Sequence, residues 1–139
     1  MNLHILDTNM ASYIIKGDFP EVRERLETLP MSSIAISVVT EAELLYGVAR
    51  KGHPTGLTRV IKAFLMRVQI LPWDSTTATV YGDLRAACTS AGVTLGALDM
   101  MIAAHAVVEN ATLVTHDKAF SLVPGGVLTA VSYTHLTLP

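Results

Sequence analysis

The chain has 139 residues, half of them hydrophobic and only 16% charged, with a formal net charge of −2. This length suits one domain with one sizeable core, and the charge balance gives no global reason to expect nucleic-acid binding. So apolar a composition points to surface that a partner covers.

The first element, residues 3–6 of "LHILDTN", is an apolar run that reads as a short buried strand and ends abruptly on Asp7. The carboxylate arrives before any long apolar region could form, so no secretory signal is expected here. Residues 8–15 predict a helix stopped by Gly17. Pro20 suits a first helical position, and "EVRERLETL" continues as an amphipathic helix. "SIAIS", residues 33–37, predicts the second strand. "VVTEAELLYGVARK" is helical and ends near Gly52 and Pro54. Residues 57–68 predict a further helix with Leu57, Ile61, Phe64, Leu65 and Val68 on one face. "VQILPW" predicts a third strand closed by Pro72. Residues 75–91 predict a long helix, capped by Asp74 or Ser75, with Gly92 just past its end. Residues 98–109 predict a helix ending at Asn110. "TLVT", residues 112–115, predicts the fourth strand, and residues 127–131 a fifth.

Strands alternate with helices, and each strand is a short continuous apolar run. That pattern predicts an α/β fold, a parallel sheet of four to five strands with helices on both faces. No repeat or linker divides the chain, so residues 1–131 read as a single domain and residues 132–139, "SYTHLTLP", as a tail. His, Asp, Arg and Pro break the apolar runs before any reaches the roughly 18 residues of a membrane span. The single Cys88 cannot form an internal disulfide, which fits a reducing cytoplasm.

In open α/β sheets, sites form outside the carboxyl ends of the strands. Asp7 and Asp117 lie at such ends. Glu43 falls within about two turns of the second strand, and Asp99 in the first turn of its helix. Each acid alone has an ordinary explanation. Asp7 can cap the next helix. Thr40 and Glu43 match a capping box. Asp99 suits the helix dipole, and Asp117 suits a turn. Their coincidence at one sheet edge is what these explanations leave over. Like charges gathered in a partly buried place raise one another's pKa and cost stability, which a bound cation removes.

No Cys or His accompanies the acids at metal-ligand spacing. Oxygen-only donors suit Mg²⁺, with Mn²⁺ as a substitute, rather than Zn²⁺. Such sites serve phosphate chemistry, in which a metal activates water and a carboxylate orients or deprotonates it. No nucleophile elbow, CxxC pair or GxxxxGK[ST] loop offers a rival chemistry.

"LDTN", "SVVTEAELLYG", "LDMMIAAHA" and "LVTHDKAF", in that order and spacing, resemble a PIN domain. More narrowly they resemble the VapC-type toxins of bacterial toxin–antitoxin pairs, over residues 3 to 126. The resemblance implies a Rossmann-like three-layer sandwich and places the family's acidic quartet on Asp7, Glu43, Asp99 and Asp117. Its small polar helpers fall on Thr8 or Asn9, and on Thr115. It also implies a Mg²⁺-dependent endoribonuclease that leaves 5′-phosphate and 3′-hydroxyl ends, a homodimer, and a cognate antitoxin that blocks the site. "GVTLGALDMMIAAHA" looks most like toxins that cut initiator tRNA. The ending departs from the family, whose members commonly finish "VPGL" with a last strand and an aromatic residue. Here "VPGGVLTAV" runs into "SYTHLTLP", and the tail is assigned no function.

With the resemblance in hand, Asp7 and Asp99 are expected to hold the metal, while Glu43 and Asp117 complete the pocket. Residues 44 to 73 contain no acid but hold Arg50, Lys51, Arg59, Lys62 and Arg67, with His53 between. A basic stripe beside an acidic metal site suits a phosphate backbone. A solvated helix face explains the stripe as well. Trp73, Tyr81, Met100, Met101, Cys88 and His105 read as packing residues. Two rival functions stand beside the ribonuclease. A haloacid-dehalogenase-like phosphatase would carry a second Asp where this chain has Asn9. A PIN-like binding module would keep the fold without the chemistry.

Overall fold

A computed structural model describes residues 2–132 of the protein. The expected tail lies outside the described residues, apart from Ser132. The chain runs β1 (His4–Leu6), α1 (Thr8–Lys16), α2 (Pro20–Glu27), β2 (Ile34–Ser37), α3 (Val38–Arg50) and α4 (Thr55–Arg67). It continues with β3 (Gln69–Leu71), α5 (Ser75–Ser90), α6 (Ala97–Val108), β4 (Thr112–Val114) and β5 (Thr129–Val131). All five strands are parallel, in the order β3-β2-β1-β4-β5. The expected α/β sheet is therefore present with its fifth strand. That strand starts two residues later than expected because Val127, which closes the 3-10 turn Pro124–Gly126, still has a helical backbone at φ −82°, ψ −20°.

Alternation along the strands divides the core into two layers. Ile5, Ala35 and Leu113 face Leu84, Cys88, Met100 and Ile102 of α5 and α6. Leu6, Ile36 and Val114 face Met10, Val22, Leu44 and Ile61 of α1 to α4. Because both faces are covered, the strands tolerate no internal charge, and polar side chains gather where strands end. The adjacency of β1 and β4 then brings the residues after Leu6 and after Val114 together at the carboxyl edge. Among the described residues, no helix is long and apolar enough to cross a membrane.

Candidate active site

Asp7 follows the last residue of β1 and is buried, with 3% of its surface exposed. Its Oδ1 accepts the Met10 N–H at 2.8 Å, so it does cap α1. Its Oδ2 accepts the Thr115 hydroxyl at 2.5 Å, across to the end of β4. The same Thr115 oxygen accepts the Asp117 N–H at 3.0 Å, which fixes the loop after β4 against Asp7. Asp117 is exposed, and its Oδ1 accepts the Ala119 N–H at 2.9 Å at the start of the 3-10 turn Lys118–Leu122.

Glu43 lies in α3, and its Oε1 accepts the Thr8 hydroxyl at 2.5 Å. The Thr8 oxygen also lies 3.1 Å from the Thr40 hydroxyl. Of the two candidate helpers on α1, Thr8 ties α1 to α3, while Asn9 is exposed. The capping-box explanation of Thr40 and Glu43 is overturned. The helix begins earlier, with Ser37 as its cap accepting the Val39 N–H at 3.1 Å, and Thr40 is fully buried inside it. Thr40, bonded to Thr8, belongs to the site in a way that pattern reading missed, as it missed Ser37 as the cap of α3. The signal for Ser37 was its place as the last polar residue of an apolar strand.

Asp99 sits half-buried in the first turn of α6, which Gly96 starts without any side-chain cap. Burial pushes the Asp99 carboxyl above its ordinary range, and the charges of Asp7, Asp117 and Glu43 push it further. The other three acids therefore lie near enough to Asp99 to be felt there. The Asp7 pKa is also raised, first by burial and in part by Asp117, against the lowering effect of its bonds to Thr115 and Met10.

The cations of residues 44 to 73 are all exposed. Arg50, at the end of α3, lies over the Tyr46 ring at 5.9 Å. Arg67 lines a groove with Met31 and Ile34. Ile34 starts β2, so Arg67 stands away from the carboxyl edge, whereas Arg59 and Lys62 lie earlier on α4. Several packing expectations hold in the structure. Trp73 donates to the Met101 carbonyl at 3.0 Å, Cys88 is buried, and His105 Nδ1 pairs with Ser37 Oγ at 2.8 Å.

Among the described residues, no three His, Cys, Asp or Glu side chains are already drawn into a metal cage. The fit to a hard cation rests on the donor set. Asp7 and Asp99 offer oxygen only, and both are burdened by like charge that a divalent ion would offset. Each Asp7 oxygen accepts a bond from the protein, and a carboxylate oxygen has a lone pair to spare.

Residues 4–126 match the PIN domain family. The chain is 35% identical over 128 residues to "Ribonuclease VapC2" of Rickettsia felis, covering 91% of this chain and 96% of that protein. It is 36% identical over 122 residues to the "tRNA(fMet)-specific endonuclease VapC" of Shigella flexneri, covering 87% and 92%. Among solved structures, VapBC2 from Rickettsia felis bound to a DNA fragment from its promoter superposes with a TM-score of 0.84. There the identity is 32%, over 93% of this chain and 97% of the other.

Proposed function

We propose, since the chain belongs to the PIN-domain family and within it to the VapC proteins, that it is a metal-dependent endoribonuclease toxin held in check by a cognate antitoxin. The observation that carries the reading is the bonded set at the carboxyl edge, Asp7 to Thr115 to the Asp117 N–H and Thr8 to Glu43, with Asp99 in the first turn of α6 close enough to feel these acids. A neutral binding module needs no such gathering of acids.

Asp7 and Asp99 would hold Mg²⁺, or Mn²⁺ in its place. When bound, the ion supplies a Lewis acid that lowers the pKa of water and offsets charge on phosphate oxygens. The chain's own residues do the rest. Thr115 and the Met10 N–H fix the Asp7 carboxylate, and Thr8 fixes one oxygen of Glu43. Glu43 would take a proton from water attacking a phosphodiester, while the 3′-oxygen leaves, takes up a proton from solvent water to become the 3′-hydroxyl, and the phosphate stays on the 5′ side. Asp117 completes the negative pocket. Arg50, Lys51, Arg59 and Lys62 would carry salt-dependent affinity for the RNA backbone, and Arg67 would contribute less. The relative from Shigella flexneri, named for tRNA(fMet), makes tRNA the first substrate to try.

Two surface features support the partners. An open apolar groove of about 360 Å³, lined by Ile14, Leu26, Met31, Ile34 and Phe64 with Arg23 and Arg67, gives an antitoxin segment a seat. Exposed Leu45, Tyr46 and Leu98 support a homodimer that covers them. The toxin would act in the cytoplasm, with its RNA. The test is incubation of the purified chain with total RNA and with tRNA, in Mg²⁺ or EDTA. Cleavage in Mg²⁺ alone is expected. Cleavage in both conditions would remove the metal from the reading, and none in either would leave a silent binding module.

A further inference from the structure

Phe19 has a conformation its residue type does not explain. Its backbone sits at φ 52°, ψ 63°, in the left-handed region, where a bulky side chain is strained and glycine or asparagine is not. It precedes Pro20 at the start of α2, where its carbonyl accepts the Val22 N–H at 3.0 Å while its side chain makes no cap and is left to pack elsewhere. What the conformation achieves is a ring cluster. The Phe19 ring lies 4.3 Å from His116 at an interplanar angle of 38°, and 5.0 Å from Tyr13 at 69°. Tyr13 and His116 are 5.9 Å apart at 69°. Phe19 remains 37% exposed.

The cluster adjoins the carboxylates. His116 stands in sequence between Thr115, whose hydroxyl donates to Asp7, and Asp117, whose N–H donates to Thr115. Among the described residues its Nε2 is buried without a hydrogen-bond partner, while Nδ1 lies 3.4 Å from Ser132 Oγ. The flanking exposed charges, Lys16, Asp18 and Lys118, are mixed, so the patch suits neither a phosphate nor a cation by charge. Its distinguishing property is a partly open aromatic face. Unpaired RNA bases stack on Phe, Tyr and His rings.

We propose that Phe19, braced by Tyr13 and His116, is a stacking platform for one unpaired base of the RNA beside the scissile phosphate, an inference that rests on the ribonuclease reading above. The strain at Phe19 is retained because it aims the ring.

The test uses a short unpaired oligoribonucleotide carrying 2-aminopurine, whose fluorescence falls on stacking. Binding is followed on the non-cleaving Asp7→Asn chain, and cleavage on the otherwise unaltered chain. Phe19→Gly relieves the backbone while losing the ring contacts, so it should still melt cooperatively as a folded chain, yet bind the RNA roughly ten-fold more weakly, the scale of one lost base stack. The fluorescence drop should vanish with it. Phe19→Trp should restore both. Unchanged affinity and fluorescence in Phe19→Gly, on a chain that still cleaves RNA, would make the rings a packing feature and overturn the proposal. If the unaltered chain cleaves no RNA, the ribonuclease reading fails and the platform falls with it, whatever Phe19→Gly does. Loss of binding to an antitoxin alone, with RNA binding intact, would assign the rings to that partner and equally overturn the base platform.

Discussion

Asp7 and Asp74 cap α1 and α5 with nearly the same bonds. Asp74 Oδ1 accepts the Thr77 N–H and the Thr77 hydroxyl, both at 3.1 Å. Asp7 accepts the Met10 N–H at 2.8 Å and the Thr115 hydroxyl at 2.5 Å. Their acidities nevertheless move in opposite directions. Asp74 is exposed, and its bonds hold the carboxyl below the ordinary range. Asp7 is buried, and desolvation outweighs bonds of the same kind, with Asp117 adding repulsion. A cap alone therefore accounts for Asp74 and not for Asp7. Ser37 sharpens the point, because it caps α3 from the end of β2 with no charge at all. A strand end in this sheet can be capped by a neutral side chain. The buried carboxylate at the end of β1 carries a cost that capping does not require, which fits the catalytic role proposed for it.

The largest expected difference between the two aspartates is in turnover. Asp7→Asn keeps the cap, since asparagine caps nearly as well, but removes a charge that a divalent ion bound there would need. RNA cleavage in Mg²⁺ should fall by about a hundred- to a thousand-fold, the scale of losing a central electrostatic group. Asp74→Asn should cleave like the unaltered chain. Equal losses in the two variants, measured as initial rates on the same RNA, would break the comparison.

Metal linkage comes next in size. At Mg²⁺ about one hundred times its Kd, a single site adds roughly 2.7 kcal/mol of stability. Thermal melts should show this gain in the unaltered chain and in Asp74→Asn. Asp7→Asn and Asp99→Asn should show little of it. A full gain in Asp99→Asn would take that residue out of the metal site and leave Asp7 to be explained without it.

The comparison could be made only with the structure, although much of its material was legible in the chain. Each strand is a short apolar run closed by a polar or turn residue, so element type and order were readable, with boundaries shifted by a residue or two. Three-residue turns such as Pro124–Gly126 carry no period, and the late start of β5 was invisible. The acids were visible because charge is rare at the end of an apolar strand. Their meeting depends on β1 lying beside β4, which strand order decides and local pattern does not. The Thr40–Glu43 motif misled because a capping box is only four residues long. The position at which β2 left the sheet put Ser37 at the cap instead. Choosing Thr8 over Asn9 required the rotation of α1 about its axis. Phe19 and His116 lie at opposite ends of the chain and belong to no shared motif.

The smallest effect, and the one that separates the two aspartates by sign, is the dependence of metal-free stability on pH. A carboxyl whose pKa is raised by folding binds its proton more tightly in the folded state. Between the ordinary value of 3.8 and the raised one, stability must then increase as pH falls, and the destabilisation is fully present above that window. Asp7 and Asp99 contribute in this direction. A carboxyl with a lowered pKa does the reverse. Asp74 contributes stability above 3.8 that is lost as pH falls through its folded value. Other groups titrate in the same range, so the informative quantity is each variant's difference from the unaltered chain in chemical-denaturation melts across pH. Asp7→Asn should be as stable as its parent or more so at neutral pH. That advantage should shrink as pH falls toward 3.8. Asp74→Asn should show a small deficit at neutral pH that disappears only below 3.8. Asp7→Ala completes the set, because it loses the cap as well as the charge, a cost of about 1 kcal/mol relative to Asp7→Asn. If Asp7→Asn is instead less stable at neutral pH, with a deficit that closes below 3.8, Asp7 behaves as a second Asp74. The carboxylate at the end of β1 would then be a helix cap and nothing more.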